Sequence, residues 1–289
     1  MKNISWDALE LFIKVARFGG LSAACNATGL SPATVGRRML DLEGQVERKL
    51  FRRSRRGYSL TADGEDLLAQ LLEMEGAARK IENWRSGGNA APLVRIACGT
   101  WIGWLLMQHI DLLRSERDRP RIHFEIGETR AAVAFRESDL GIRAFEPNEP
   151  NLAAVALGEV AYAPYRSGIC PPDKNSNWIA VSEQEAMSAY LRYPHETFAQ
   201  RITLTVTRPR SLYDLVIAGA GIAVLPCLVG DKDERLARAG PEISELRHRQ
   251  WLVMNNDDRH RREIRLVADR VIALIKANAA LIAGERYTN

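Results

Sequence analysis

The sequence predicts an α/β protein: a short, basic, mainly helical segment followed by a longer domain of alternating strands and helices. Three observations predict it. At roughly 100–200 residues per domain, 289 residues suggest about two domains. Residues 1–61 hold 11 Lys+Arg against 5 Asp+Glu, a net +6, whereas the remainder holds 29 against 31, a net −2. Beyond residue 92, apolar β-type runs alternate with segments of helical period. The whole-chain charge of +4 conceals a polyanion-seeking end and a near-neutral remainder. A composition of 46% hydrophobic and 26% charged residues is that of a globular chain. No apolar run approaches the roughly 18 residues that a membrane span needs. Asp7 and Glu10 interrupt the stretch an export signal requires, so a cytoplasmic protein is expected.

The basic segment reads as three helices and a hairpin. Trp6, Leu9, Phe12, Ile13 and Ala16 follow the i, i+3, i+4 rule, and Gly19-Gly20 ends this helix. Ser22 caps a short second helix through Ala27. Ser31 caps a third, with Pro32 at its first position. Val35, Met39, Leu42 and Val46 form the buried stripe of that third helix, leaving Thr34, Arg37 and Arg38 on its other face. Two short helices joined by a tight turn, the second presenting basic and small polar groups, make a helix-turn-helix. Its second helix suits the DNA major groove, where Arg bonds guanine in bidentate fashion. Leu50, Phe51, Tyr58 and Leu60 suit a hairpin carrying Arg52, Arg53, Arg55 and Arg56. This is a basic wing for phosphates or the minor groove.

The run Ala23-Ala24, Leu30-Ser31-Pro32-Ala33-Thr34-Val35-Gly36-Arg37-Arg38-Met39, Leu42-Glu43, Leu50-Phe51-Arg52-Arg53, Leu60-Thr61 and Gly64 resembles the winged helix of LysR-type transcriptional regulators. The resemblance implies a dimer or tetramer with a C-terminal effector domain. By position it puts Pro32, Ala33, Gly36 and Arg37 at base edges, and Arg38, Arg52, Arg53 and Arg56 at the DNA backbone. Ser31, Thr34 and Arg55 complete the expected surface. The family often carries Gln where this chain has Pro32 and Ser where it has Gly36, which shifts direct readout toward Arg37 and Thr34.

Thr61 is the expected N-cap of a helix over Ala62–Trp84. Leu67, Leu71, Met74, Ala78 and Ile81 are spaced 4, 3, 4, 3, which is an a/d seam. The seam suits either packing on its own domain or a homodimer, and a reader of inverted repeats needs two-fold symmetry. Residues 86–92 read as a flexible linker, giving parts at 1–61, 62–92 and 93–289.

In the third part, strands are expected at 93–97, 121–126, 139–143, 155–165, 178–181, 202–206, 220–226 and 251–254. Helices are expected over 102–116, 212–218 and 263–275, and alternation implies parallel sheets. Asp139–Arg143 and Ala220–Pro226 are similar to segments of two-lobed, periplasmic-binding-protein-like effector domains. Lobe I is then about 93–165 with 252–289, lobe II about 166–251, and the chain crosses near Tyr165–Ser167 and Arg249–Met254. Ligands in such folds sit at strand C-termini and helix N-termini. That places Thr100 and Trp101, Thr129 and Arg130, Arg143, and Thr207 ahead of a helix capped by Ser211 and Asp214, at a site for a small anion. Thr100 and Thr207 also read as plain caps, Arg130 and Arg143 as solvated surface, and Trp101 as core. Short stretches before Asp139 and before Ile202 predict a shallow cleft, or one filled by Trp101 and Trp104.

Cys25, Cys98, Cys170 and Cys227 form no CxxC pair and have no neighbouring His at zinc spacing, so no metal or other cofactor is expected. They read as free thiols, with oxidant sensing through Cys98, Cys170 or Cys227 as the alternative. No G-x-S-x-G, phosphate loop or G-x-G-x-x-G occurs, which counts against an enzyme on the α/β domain. The basic segment counts against a solute-binding protein. The expectation is a DNA-binding regulator that responds to a small effector, with effector-independent action as the alternative.

Overall fold

A computed structural model describes residues 4–17, 25, 28–54, 57–85, 91–114, 119–128, 138–169 and 177–285. The chain divides into two compact units, with the boundary in sequence at Asn89/Ala90.

The first unit opens with α1 (Trp6–Arg17) and α2 (Pro32–Val46). Ser31 lies in extended backbone and its Oγ accepts the Thr34 N–H at 3.2 Å, so the cap and Pro32 start α2 where the sequence predicts. The expected second helix falls largely outside the described residues. β1 (Phe51–Ser54) and β2 (Gly57–Leu60) pair antiparallel, Phe51 opposite Leu60. α3 (Ala62–Arg85) follows, its first turn closed by Thr61 Oγ1 accepting from Gly64 N at 3.1 Å. Gly64 is required there, since a Cβ would stand 2.2 Å from the Leu50 carbonyl oxygen. Phe12, Ile13, Val35, Met39, Leu42, Leu50 and Leu71 form the core of this unit.

The second unit holds two sheets of the same design. β3 (Leu93–Cys98), β4 (Arg121–Ile126), β5 (Leu140–Arg143), β6 (Leu152–Val160) and β12 (His248–Asn255) make a sheet ordered β4-β3-β5-β12-β6. The β3 pairs are parallel and the β12 pairs antiparallel. β8 (Trp178–Val181) pairs parallel with β9 (Ile202–Val206), and β7 (Tyr162–Ser167) pairs antiparallel with β10 (Ala223–Pro226) and β11 (Leu236–Arg238). A parallel bridge from Trp178 to Ile222 joins these groups as β9-β8-β10-β7-β11. Order and direction repeat the first sheet, so the unit is two lobes built alike. The sheets are mixed rather than purely parallel, because β12 and β7 each return against their neighbours.

Three expectations are corrected here. The run 155–165 is not one strand, and the crossing lies at Ala161 rather than near Tyr165–Ser167. Ala161 N donates to Ile282 O at 3.0 Å and Ala161 O accepts Cys227 N at 2.9 Å, so its backbone belongs to neither sheet. The return crossing lies just before His248, next to the expected Arg249–Met254, since His248 already pairs with Val160. The helix expected over 102–116 is α4 (Thr100–Gln108) followed by the single turn α5 (Ile110–Leu113), with a break at His109, which has non-helical φ −116° and ψ 33°. In β6, Gly158 takes φ +127° opposite the register shift at Gln250/Trp251, a bulge that suits glycine.

The remaining α-helices among the described residues are α6 (Ala189–Phe198), α7 (Arg210–Ile217), α8 (Cys227–Gly230), α9 (Arg262–Ala277) and α10 (Ala279–Ile282). No described helix is long and apolar enough to cross a membrane.

Candidate nucleic-acid interface and effector cleft

In α2 the burial of Val35, Met39 and Leu42 turns the opposite face outward. Ser31, Pro32, Ala33, Arg37 and Arg38 are exposed, and Gly36 is half-buried. Thr34 is half-buried, with its hydroxyl 2.9 Å from Ser31 Oγ, so both hydroxyls are engaged in the cap. That leaves Arg37 as the long donor at the centre of the face. Arg52 is exposed on β1, Arg53 is described by backbone alone, and Arg55 and Arg56 lie outside the described residues.

Glu43 is the residue whose part sequence reasoning missed. It is only 4% exposed, and its Oε1 accepts from Leu50 N at 2.8 Å and Phe51 N at 3.1 Å. A buried carboxylate thereby ties the end of α2 to the start of the wing, with Lys49 Nζ 3.9 Å from Oε2. The visible signal was an acidic residue on the apolar stripe of α2, next to Leu42.

On α3 the seam divides. Leu67 and Leu71 pack on the core of the unit, whereas Met74 is 51% and Ile81 64% exposed.

In the second unit the helices that follow β3 and β8, α4 and α6, begin close to one another, joined through one carboxylate. Glu128, just after β4, accepts Thr100 N–H through Oε1 at 3.1 Å and Ser188 Oγ–H through Oε2 at 3.2 Å. Trp101 is buried and its Nε1 donates to Tyr190 Oη at 3.1 Å. Tyr190 stacks on Tyr162 at 4.8 Å, and Tyr162 on His248 at 5.8 Å. Burial, reinforced by the charge of Glu128, raises the Cys98 thiol to about 12 and pushes Tyr162 and Tyr190 above the usual phenol range. Trp101 is therefore packed as core, bonded to the Tyr190 hydroxyl. Trp104 is less buried and lines an open groove of about 380 Å³ with Gln108, Tyr213 and Lys232.

The other expected effector residues are dispersed. Thr129 and Arg130 lie outside the described residues. Arg143 is buried, with Nη1 donating to Glu149 at 3.0 Å, which answers its charge within lobe I; it is not solvated surface. Thr207 is exposed beyond β9. The Ser211–Asp214 cap does not form, because α7 starts at Arg210 on a turn from Arg208 and Pro209, and Asp214 accepts from Arg210 instead. Cys98 and Cys227 are buried free thiols, and Cys170 lies outside the described residues. Burial also raises the Cys227 thiol. Among the described residues no group of His, Cys, Asp and Glu could hold a metal ion.

The model of the bacterial regulatory helix-turn-helix protein, lysR family, matches residues 6–65, and that of the LysR substrate binding domain matches residues 87–276. The chain belongs to the LysR family. PtxR, a transcriptional regulator of Pseudomonas aeruginosa, is 26% identical over 250 residues, covering 78% of each chain. Across the aligned regulators the matched span runs from 44% to 82% of the relative's own length. A full-length mutant of OxyR from Pseudomonas aeruginosa shares the fold, with a TM-score of 0.55 at 17% identity over 100% of both chains. So does DarR of Vibrio fischeri, solved in complex with DNA, with a TM-score of 0.50 at 18% identity over 94% of this chain and 99% of that one.

Proposed function

We propose that this LysR-family chain is a sequence-specific DNA-binding transcriptional regulator, reading DNA with α2 and the β1–β2 wing. The observation that carries the reading is the division of α2. One face is locked into a core, while Pro32, Ala33, Arg37 and Arg38 are exposed on the other, beside a basic hairpin. Arg37 suits guanine O6 and N7 in the major groove, and Arg38 and the wing arginines suit phosphates. The exposed Met74 and Ile81 support a homodimer through residues 62–84, which supplies the symmetry an inverted repeat needs. Pairing of the C-terminal units would extend this to a tetramer. The C-terminal unit responds to a small anionic effector at the cleft between its lobes, where Thr100 and Trp101 lie.

Titration of the full chain against its own upstream DNA and a scrambled duplex, over a salt series, tests the regulator reading. Binding to both is expected to weaken with salt, while preference for the upstream DNA persists. Equal affinity for the two duplexes, or none for either, refutes it. The thiol-redox version has less support, since Cys98 and Cys227 are buried and hold their protons tightly.

A further inference from the structure

The two helices that open onto the cleft both lack a side-chain cap of their own. Gly99 precedes α4 and has no side chain to offer. Ser188 precedes α6 in the N-cap position, where serine ordinarily accepts from its own helix, yet it makes no such bond. Its hydroxyl donates to Glu128 instead, and the other oxygen of the same carboxylate caps Thr100 N–H. One carboxylate thus accepts the first N–H of α4 on lobe I and the hydroxyl of the residue that precedes α6 on lobe II, beside helix N-termini where anions are favoured.

We propose that Glu128 is a tethered carboxylate that takes the place of a bound anion and clamps the two lobes together, so that a carboxylate effector enters only by displacing it. The proposal rests on the reading of the cleft as the effector site and specifies its regulation. With Glu128 in place the lobes are held without a ligand. A free carboxylate must accept from both Thr100 N–H and Ser188 Oγ–H and compete with a group whose attachment to the chain gives it a high local concentration. Differential affinity for the clamped and released states then limits how far any ligand shifts the lobes. Tyr190 beside the clamp stacks on Tyr162, and Tyr162 on His248 at the start of β12, so a shift of Tyr190 on release would be felt at the crossings.

Loss of the clamp need not unfold the unit. The face of α4 that carries Trp101, Trp104 and Gln108 keeps its other contacts with lobe II. Trp101 bonds Tyr190, Lys232 Nζ donates to Gln108 at 3.1 Å, and the same ammonium lies 5.3 Å from the Trp104 ring centroid.

The test is a thermal-shift titration of the full chain with sodium acetate against sodium chloride at equal ionic strength. Glu128→Ala is expected to gain a saturable midpoint increase of roughly 3–6 °C at tenfold excess over the dissociation constant. The unaltered chain should not respond, and adding Ser188→Ala should at least halve the gain. No acetate-specific shift in Glu128→Ala, or an equal shift in the unaltered chain, overturns the proposal. Hydrogen exchange of Glu128→Gln supplies a second reading with a side chain of the same shape. Exchange is expected to quicken several-fold in residues 99–104 and also in 186–191. Quickening in the first segment alone reduces Glu128 to a local cap and overturns the clamp. DNA binding by the unaltered chain is scored separately, so a failure of the regulator reading is distinguishable from either result.

Discussion

Replacing Glu43 with alanine removes a carboxylate that joins α2 to the wing. Two backbone N–H groups, Leu50 and Phe51, lose a shared acceptor in a site where Glu43 itself is only 4% exposed. An unsatisfied buried donor costs about 1–3 kcal/mol, and bonds to a charged acceptor are at the stronger end of the range. Water entering the vacated space offsets part of this, so about 2–4 kcal/mol is expected for the pair together. The ion pair with Lys49 adds little, because that side chain is 79% exposed at 3.9 Å. In a unit of this size the loss lowers the melting midpoint by roughly 10–30 °C. Glu43→Gln keeps a neutral acceptor at the same place and should cost about 1 kcal/mol. Calorimetry of the full chain follows the transition of the N-terminal unit, and duplex binding over a salt series follows the wing. Affinity should fall and the salt slope flatten in the order unaltered, Gln, Ala. An alanine variant within about 0.5 kcal/mol of the unaltered chain would refute the reasoning, as would a Gln variant no better than Ala.

Arg37→Ala is expected to cost about 1–3 kcal/mol on the preferred duplex and to relax discrimination, whereas Arg52→Ala should weaken all duplexes alike and lower the salt slope by about one; equal loss on specific and random DNA from Arg37→Ala would remove its base-reading role. Because Met74 and Ile81 are exposed on the single chain, Met74→Glu with Ile81→Glu should leave the fold of the unit intact while sedimentation shifts toward monomer; unchanged sedimentation places the dimer contact elsewhere. Cys98 holds its proton more tightly folded, at about 12, than unfolded, near 9.0, so its contribution is intact below pH 9 and is lost as pH rises toward 12, by at most about 1.4 kcal/mol per unit. Alkaline melting curves should show that fall. Burial keeps the Cys98 thiol protonated well above neutral pH, so its alkylation in the native chain at pH 8 should be far slower than in urea, and a comparable rate would reopen the redox reading.

Much of the N-terminal unit was legible because its signals are local. Ser31 and Pro32 mark the start of α2 within one turn, the spacing of Val35, Met39 and Leu42 marks its buried face, and Phe51 and Tyr58 bracket a short hairpin. The α3 seam was legible as a pattern, but its division was not. Leu71 is covered by its own unit and Ile81 is not, because coverage depends on where the core ends rather than on period. In the C-terminal unit, strand positions followed from apolar runs, yet the crossing at Ala161 did not. Both sides of it are buried, and the run gives no sign that its hydrogen-bonding partner changes from β12 to β10.

The sequence by itself determined the winged helix, its basic face and the alternating α/β plan, since charge, caps and hydrophobic period are properties of near neighbours in the chain. Only the tertiary structure decided what joins the two lobes beside α4 and α6. Glu128 meets Thr100 and Ser188 across 28 and 60 residues of chain, and neither Gly-Glu-Thr nor Met-Ser-Ala carries any local mark of the pairing. A carboxylate and a hydroxyl are ordinary surface groups in a sequence. They meet only because two sheets of the same design bring the helices that follow their strands together.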